Sequence, residues 1–248
     1  MKFSYSAVWD DAARLLRANA SLLLAVAGVF LFLPSVLTGY FAPQPAGGGE
    51  GPTLAMLVAH INENWPLLLV VNIVGFVGNL ALLILALDDD RPTVGAALKA
   101  ALLLVPLYFL VSLVSGLIVM AGLFAFIVPG LYVMGRVALT GPVIVAEGRR
   151  GPIAVIRRSF AVTKGHGWAL VGLILIVVLT FFIVSLALTT VFGSIFLLFD
   201  KAAGGGGIGA LLLLILDAAV GTIFNTVLIV LLASLYRRLA SGAPSNGI

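Results

Sequence analysis

Six long apolar runs constrain this chain more than any other feature. Each has about the length, or more, of the roughly 20 residues with which a helix crosses a bilayer. Hydrophobic residues make up 62% of the chain and charged residues 10%, against about 25% charged residues in a soluble domain. So much apolar surface must face lipid. We therefore predict an all-α polytopic membrane helix bundle that forms a single domain, with spans at 21–41, 66–87, 101–121, 130–146, 168–199 and 210–236.

Two further segments have helical periodicity but are too polar to cross a membrane. In residues 3–20, apolar side chains such as Trp9 lie opposite acidic and basic ones at helical spacing. Residues 152–162 repeat the pattern, with Ile156 and Phe160 on the apolar face. Helices of this kind lie in the interface plane, with the apolar face toward the acyl chains. We predict that both lie on the cytoplasmic surface of the bundle.

Basic residues lie almost entirely on one side of the predicted spans. Six spans place both termini on the same side, and cytoplasmic loops carry the excess of Lys and Arg. The stretch 147–168 alone holds five of the fourteen basic residues, whereas Lys201 is the single one on the opposite side. We predict that both termini are cytoplasmic, because twelve basic residues share their side: Lys2, Arg14, Arg17, Arg91, Lys99, Arg149, Arg150, Arg157, Arg158, Lys164, Arg237 and Arg238.

The order of the segments also suggests a threefold repeat of helix hairpins. Each unit would open with an amphipathic or short basic segment, followed by a span, an outer loop and a returning span. The openings share small and apolar residues before Arg14, Lys99 and the pair Arg157 and Arg158. Similar apolar spans also resemble each other by chance, so both origins stay open. A real repeat would be parallel, around an axis along the membrane normal.

Two charges lie inside predicted spans, where an unpaired charge costs about 2.5–3.5 kcal/mol on insertion scales. Arg136 lies six residues after the start of the fourth span and Asp217 seven after the start of the sixth. Both spans run inward, so we expect similar depths, roughly 10 Å from the outer boundary at about 1.5 Å per residue. We predict an Arg136–Asp217 ion pair, either a structural clasp or part of a polar substrate or proton site. Alternatively, the two residues do not meet, and each snorkels or faces water.

Three asparagines complete the candidate intramembrane polar site. Asn72 and Asn79 share one face of the second span, and Asn225 lies on the sixth. Such amides most often join helices through hydrogen bonds, and the alternative is a polar cavity. Outside the spans, basic residues near a leaflet attract anionic lipids. We predict this contact for residues of the basic loop, namely Arg149, Arg150, Arg157, Arg158 and Lys164.

The chain has no constellation typical of catalysis or of cofactor binding. Cysteine is absent, and the two histidines, His60 and His166, are far apart, which argues against disulfides, thiolate ligands and a histidine metal site. The glycine clusters at 47–49 and 204–207 lack the lysine and the following helix of a phosphate-binding loop. We predict a protein that is not an enzyme and uses no cofactor or metal. The basic loop is expected to contact lipid and no nucleic acid.

Residues 126–168 carry a family resemblance. They read FIVPGLYVMGRVALTGPVIVAEGRRGPIAVIRRSFAVTKGHGW. The matching features are Pro129-Gly130-x-Tyr132, Arg136, Pro142, Glu147, Gly151-Pro152, Arg158-Ser159-Phe160, Thr163-Lys164-Gly165 and Trp168. This pattern resembles the YciC-like inner-membrane proteins and the membrane domain found fused to some glycerophosphoryl diester phosphodiesterases. These 248 residues contain no phosphodiesterase domain, so its acid/base and metal residues have no counterpart here.

The resemblance implies a six-span protein of the bacterial inner membrane with a role connected to lipids or the envelope. We therefore expect a non-enzymatic protein that binds or translocates lipid or another amphiphile. The alternative is a structural or accessory subunit without a substrate site of its own. In that case a membrane protein partner, or a second copy of the chain, would complete the functional unit.

Overall fold

The computed structural model describes residues 5–45, 51–88, 92–148, 151–202 and 207–240. Within these ranges it contains helices and no strands, and six spans are long and apolar enough to cross a membrane. The predicted all-α polytopic bundle is thereby confirmed. The elements are α1 (Tyr5–Ala18), α2 (Ala20–Ala27), a π-helical segment (Gly28–Phe32), α3 (Leu33–Phe41), α4 (Leu54–Leu87), α5 (Val94–Ala125), α6 (Ile127–Val137), α7 (Thr140–Glu147), α8 (Pro152–Val162), α9 (Gly167–Ala202) and α10 (Ile208–Ala240).

Two of the six spans are composite. TM1 consists of α2, the π-helical segment and α3, and TM4 consists of α6 and α7. TM2, TM3, TM5 and TM6 are the single helices α4, α5, α9 and α10.

Several spans are longer than their apolar runs predicted. TM2 begins at Leu54 because the Thr53 hydroxyl caps the helix, accepting a hydrogen bond from the Met56 amide at 3.3 Å. Residues 54–65, which precede the predicted apolar run, therefore belong to TM2, and the helix continues through Pro66. TM5 is one helix of 36 residues. Its length is about 54 Å at about 1.5 Å per residue, so it must tilt in, or protrude from, a hydrocarbon layer of about 30 Å.

Helix α1 packs along the C-terminal part of TM6. The Ser234 hydroxyl donates to the Val8 carbonyl at 3.3 Å, and Arg238 donates to the Ala7 carbonyl at 2.9 Å. Both described ends of the chain therefore lie on one side of the bundle. We call this the terminal side, and the opposite one the distal side. Which side faces the cytoplasm stays a prediction.

The core lies at the terminal side, around TM2. Leu80, Ala81 and Leu82 are consecutive in sequence and have no accessible surface, as expected for a helix surrounded by others. TM2 packs against TM1, TM3, TM6 and the α7 part of TM4, whereas TM5 packs mainly on TM6 and α6. The distal halves of the spans expose many large apolar side chains. Lipid is the natural solvent for such a surface.

Helix α8 is more deeply packed than a helix lying flat on the surface. Its start follows Gly151, whose φ of 98° suits glycine. Val155, Ser159 and Val162 are buried against TM3 and TM4. The first and third openings of the predicted repeat thus form separate helices, α1 and α8, but residues 94–100 of the second belong to TM3. The repeat itself stays a prediction.

Candidate functional site

Arg136 lies at the end of α6, where its side chain turns toward α8. Its Nη1 donates to the Thr163 carbonyl at 2.8 Å. The guanidinium carbon lies 5.0 Å from the centre of the Phe160 ring and 5.8 Å from that of Tyr132. Aromatic faces attract cations at such distances. The charge is thus held by a carbonyl and two rings, while its Nε is inaccessible and lacks a partner within the described residues.

The helix break next to Arg136 is closed by hydroxyl groups. TM4 leaves helical geometry between Val137 and Thr140, just before Gly141-Pro142. Proline has no amide proton and cannot continue the helical hydrogen bonds. The Ser159 hydroxyl donates to the Arg136 carbonyl at 2.7 Å, and the Thr140 hydroxyl donates to the Val137 carbonyl at 2.9 Å. Helix α8 and the residue that follows it therefore provide a hydrogen-bond donor for a carbonyl of the broken span and an acceptor for the Arg136 cation.

Asp217 lies far from this site. It precedes Arg237 in TM6 by 20 residues, which is about 30 Å of helix at about 1.5 Å per residue. Arg237 donates to the Leu87 carbonyl at the terminal end of TM2 at 2.9 Å. Asp217 therefore lies in the distal part of TM6, nine residues after its first residue, Ile208. Its side chain is exposed there.

The expected Arg136–Asp217 ion pair is wrong for the described part of the chain, since neither residue forms a salt bridge there. TM4 and TM6 are shifted relative to each other along their axes. Glu147 closes TM4 near the terminal side, and Arg136 is only 11 residues before it, at most about 16 Å away. Equal distances from the starts of two apolar runs therefore did not mean equal depths.

The three asparagines do not converge on one hydrogen-bonded site. Asn72 is exposed, and its amide donates to the Leu68 carbonyl of its own helix at 2.7 Å. Asn79 is partly buried, and its Oδ1 is inaccessible without a partner among the described residues. Asn225 is partly buried and makes no hydrogen bond through its side chain in those same ranges. A polar site built from them stays a prediction.

The basic loop divides into residues that are used within the fold and residues that face outward. Arg158 forms a bidentate contact with Glu147, with Nε 2.7 and 3.0 Å from the two carboxylate oxygens. The Tyr236 hydroxyl donates to the same carboxylate at 2.8 Å, so this group joins TM4, α8 and TM6. Arg157 and Lys164 are exposed and remain candidates for lipid contact. Arg149 and Arg150 lie outside the described residues.

A groove lies between TM1 and TM6 on the lipid-facing side of the bundle. It encloses about 450 Å³, and its lining is almost entirely apolar. Small residues make it concave, and the rim side chains Leu24 and Ile223 are more than half exposed. Leu16 and Arg17 of α1 lie at its terminal end. The walls are formed by Ala20, Leu23, Leu24, Ala27, Gly28 and Phe32 of TM1 and by Ala219, Thr222, Ile223, Thr226 and Val227 of TM6.

The π-helical segment of TM1 accompanies the groove. Its first and last residues, Gly28 and Phe32, are both part of the lining. Just beyond it, Pro34 lacks the amide that would bond to the Phe30 carbonyl. Phe30, in the middle of the π-helical segment, lies against Gly78 of TM2. A Cβ added to Gly78 would come within 2.6 Å of the Phe30 Cβ. TM1 is therefore held close to TM2 at the level of the π-helical segment, which also packs against TM6. Single-turn π-helical irregularities occur frequently at functional sites.

Arg17 is the cation at the terminal end of the groove. It lies in the last turn of α1 and is exposed. No hydrogen bond or ion pair joins it to another residue of the described chain. The sequence indicated Arg17 only as a topology signal, and the groove itself went unpredicted. The available signal was weak: small residues at 20, 27 and 28 come after an amphipathic helix that has Arg17 in its last turn.

Comparisons with known protein families, with curated proteins and with solved structures found no match to this chain. The resemblance of residues 126–168 to the YciC-like family therefore stays a proposal. The geometry itself supports an integral membrane protein with six spans. The structure also places the TM4 cation against a carbonyl group and two aromatic rings, and a second cation at one end of an apolar groove.

Proposed function

We propose that this membrane protein binds a lipid or a similar amphiphile in the groove between TM1 and TM6. The observation that carries the proposal is the groove itself, an apolar concavity of about 450 Å³. Ligand sites commonly have volumes of about 300–1,000 Å³ and are mostly apolar. An acyl chain in this groove would contact TM6, TM1 and its π-helical segment. A lipid on a convex helix surface would contact a single helix. These additional contacts would favour retention of one lipid over exchange with the bilayer.

Substitutions that fill the groove test the proposal. Gly28 lines it, and nothing lies within 4 Å of a Cβ built on this residue. Gly28→Leu should therefore occupy ligand space without a clash inside the protein. Gly116 of TM3 is equally open, with nothing within 4 Å, but it is not part of the groove, so Gly116→Leu is a matched control.

The readout is native mass spectrometry after mild delipidation in detergent. We expect wild type and Gly116→Leu to retain lipid, and Gly28→Leu to lose it. Ala219→Leu, which fills the groove from the TM6 wall, should have the same effect as Gly28→Leu. Equal retention in all four proteins would overturn the proposal, provided that their melting temperatures show them folded.

We further propose a location in the bacterial inner membrane with both termini cytoplasmic. The distribution of basic residues in the sequence supports the orientation, and the family resemblance suggests the membrane. Because the chain has no cysteine, single substitutions Arg157→Cys and Lys201→Cys can be labelled separately with an impermeant maleimide in intact cells. Labelling of the 201 position alone is expected. Labelling of the 157 position alone would reverse the topology.

The role that we propose is non-enzymatic, on the sequence grounds given above. An accessory subunit with a membrane protein partner stays the alternative. The same native mass spectra separate the two roles, because a stoichiometric protein partner in place of a lipid would favour the accessory subunit.

A further inference from the structure

The charges on the terminal side narrow the chemistry of the proposed ligand. We propose that Arg17 binds the phosphate of an anionic glycerophospholipid whose acyl chain occupies the groove between TM1 and TM6. This inference rests on the proposed function and adds the class of headgroup and the leaflet. The lipid would belong to the leaflet on the terminal side, since that is where Arg17 lies.

Four of the six terminal-side arginines that the structure describes already have partners within the protein. Arg158 is bound to Glu147. Arg14 and Arg238 both contact Asp11, and Arg237 binds carbonyl groups at the end of TM2. Such contacts use the donors that a headgroup would need.

Arg17 differs because it has no partner within the described chain and borders the groove directly. Asp11, the nearest partnered carboxylate on α1, is engaged by two other arginines. Asp10 shares the helix face of Arg17 but lies two turns away, about 10 Å along the axis. Neither carboxylate of α1 therefore competes at close range, and the guanidinium can meet a phosphate through two parallel hydrogen bonds.

The length of the groove fits a lipid anchored at Arg17. Within TM1 the groove runs from Ala20 to Phe32, an advance of 12 residues along α2 and the π-helical segment, at most about 18 Å at about 1.5 Å per residue. One leaflet contributes roughly half of a hydrocarbon layer of about 30 Å. A headgroup at Arg17 thus leaves room for its acyl chain to reach the π-helical segment. Among the described residues, Arg17 is the only cation that lines this groove.

The test compares retention of phosphatidylglycerol and phosphatidylethanolamine with identical acyl chains by native mass spectrometry. One basic residue near a leaflet contributes about 1 kcal/mol toward anionic lipid, which corresponds to about a fivefold preference. We expect wild type to retain phosphatidylglycerol about fivefold better, and Arg17→Gln to retain both lipids equally. Arg14→Gln is the matched control, three residues away on the same helix, and should keep the wild-type preference.

The outcomes separate this inference from the function on which it rests. Equal retention of both lipids by wild type would overturn the preference for an anionic headgroup. A preference that is unchanged in Arg17→Gln would overturn the assignment of that headgroup to Arg17. In both of those cases, loss of lipid in Gly28→Leu would still support the groove as a lipid site. Lipid retention that is insensitive to Gly28→Leu would overturn the groove, and the inference with it.

Discussion

Arg136 donates from Nη1 to the backbone carbonyl of Thr163 at 2.8 Å. In return, Ser159 of α8 donates its hydroxyl to the Arg136 carbonyl at 2.7 Å. TM4 and α8 are thus joined by reciprocal contacts at the place where TM4 breaks. The cation that the sequence presented as a partner for Asp217 instead stabilises the connection from TM4 to TM5.

Removal of the Arg136 cation should destabilise the protein, and Phe160 should share in the effect. A ring and a cation contribute about 0.5–2 kcal/mol to stability, more when they are desolvated. We expect Arg136→Met and Phe160→Leu to show a coupling free energy of that size in a double-mutant cycle. The measurement is the free energy of unfolding by steric trapping in detergent micelles.

The same cycle with Asp217→Asn serves as the contrast. Asp217 lies in the distal part of TM6, and sites without shared contacts are additive within about 0.3–0.5 kcal/mol. We expect additivity for Arg136→Met with Asp217→Asn. A coupling well above that limit would contradict the positions assigned to these two residues.

Loss of the Arg158 cation should destabilise the terminal side strongly. Removing one member of a buried ion pair leaves the other charge uncompensated, at a cost of about 3–5 kcal/mol. The side chains of Arg158 and Glu147 are 13% and 16% exposed, so we expect Arg158→Met to cost somewhat less, about 2–3 kcal/mol. The neighbouring Arg157 is exposed, and Arg157→Met should change the unfolding free energy little. Equal effects in the two variants would show that the contact with Glu147 does not stabilise the fold.

Two glycines of TM2 should respond oppositely to alanine. In Gly78→Ala, the new Cβ would come within 2.6 Å of the Phe30 Cβ and 3.4 Å of the Phe30 carbonyl oxygen, so TM1 must shift. Overpacking of this kind costs about 1–3 kcal/mol. At Gly75 nothing lies within 4 Å of the new Cβ, and the higher helix propensity of alanine should stabilise by up to about 1 kcal/mol. Melting temperatures of the two variants in detergent test this difference. If Gly75→Ala lowered the melting temperature and Gly78→Ala did not, this result would contradict the close contact of TM1 with TM2 at Gly78.

Two threonines in the groove should also differ. The Thr222 hydroxyl is inaccessible and has no partner among the described residues, whereas the Thr226 hydroxyl donates to the Thr222 carbonyl at 2.8 Å. Thr222→Val removes an unsatisfied polar group and should be neutral or stabilising. Thr226→Val removes a hydrogen bond and should cost about 0.5–1.5 kcal/mol. Thermal unfolding of both variants is the measurement, and greater destabilisation by Thr222→Val would contradict this assignment of partners.

The sequence predicted the architecture because lipid imposes a simple rule on it. An apolar run of sufficient length must form a helix in the membrane, and this rule located all six spans. The ends of the helices were predicted less well. Apolar composition reveals neither a capping residue such as Thr53 nor a helix that continues beyond the hydrocarbon layer. The extension of TM2 to Leu54 is an example.

Contacts between spans could not be predicted in the same way. The depths of Arg136 and Asp217 depend on the offset between TM4 and TM6, which packing at the terminal side determines. The groove lies along a π-helical segment, and Gly78 closely approaches Phe30 of that segment from TM2. Neither the π-helical segment nor the approach of Gly78 to Phe30 produces a recognisable sequence motif. The partners of Glu147 are similarly remote, since Tyr236 is 89 residues away in sequence.

Photocrosslinking with a phospholipid that carries a diazirine in its acyl chain tests the lipid groove most directly. The lipid is incorporated into membranes that contain the wild-type protein, and the labelled peptides are mapped by mass spectrometry. We expect the label to concentrate in residues 16–32 and 219–227, which contain the lining of the groove. We also expect Gly28→Leu to remove the label from both segments and Gly116→Leu to leave it unchanged. Label spread evenly over the exposed faces of TM3 and TM5, or unchanged by Gly28→Leu, would contradict the groove as a lipid site.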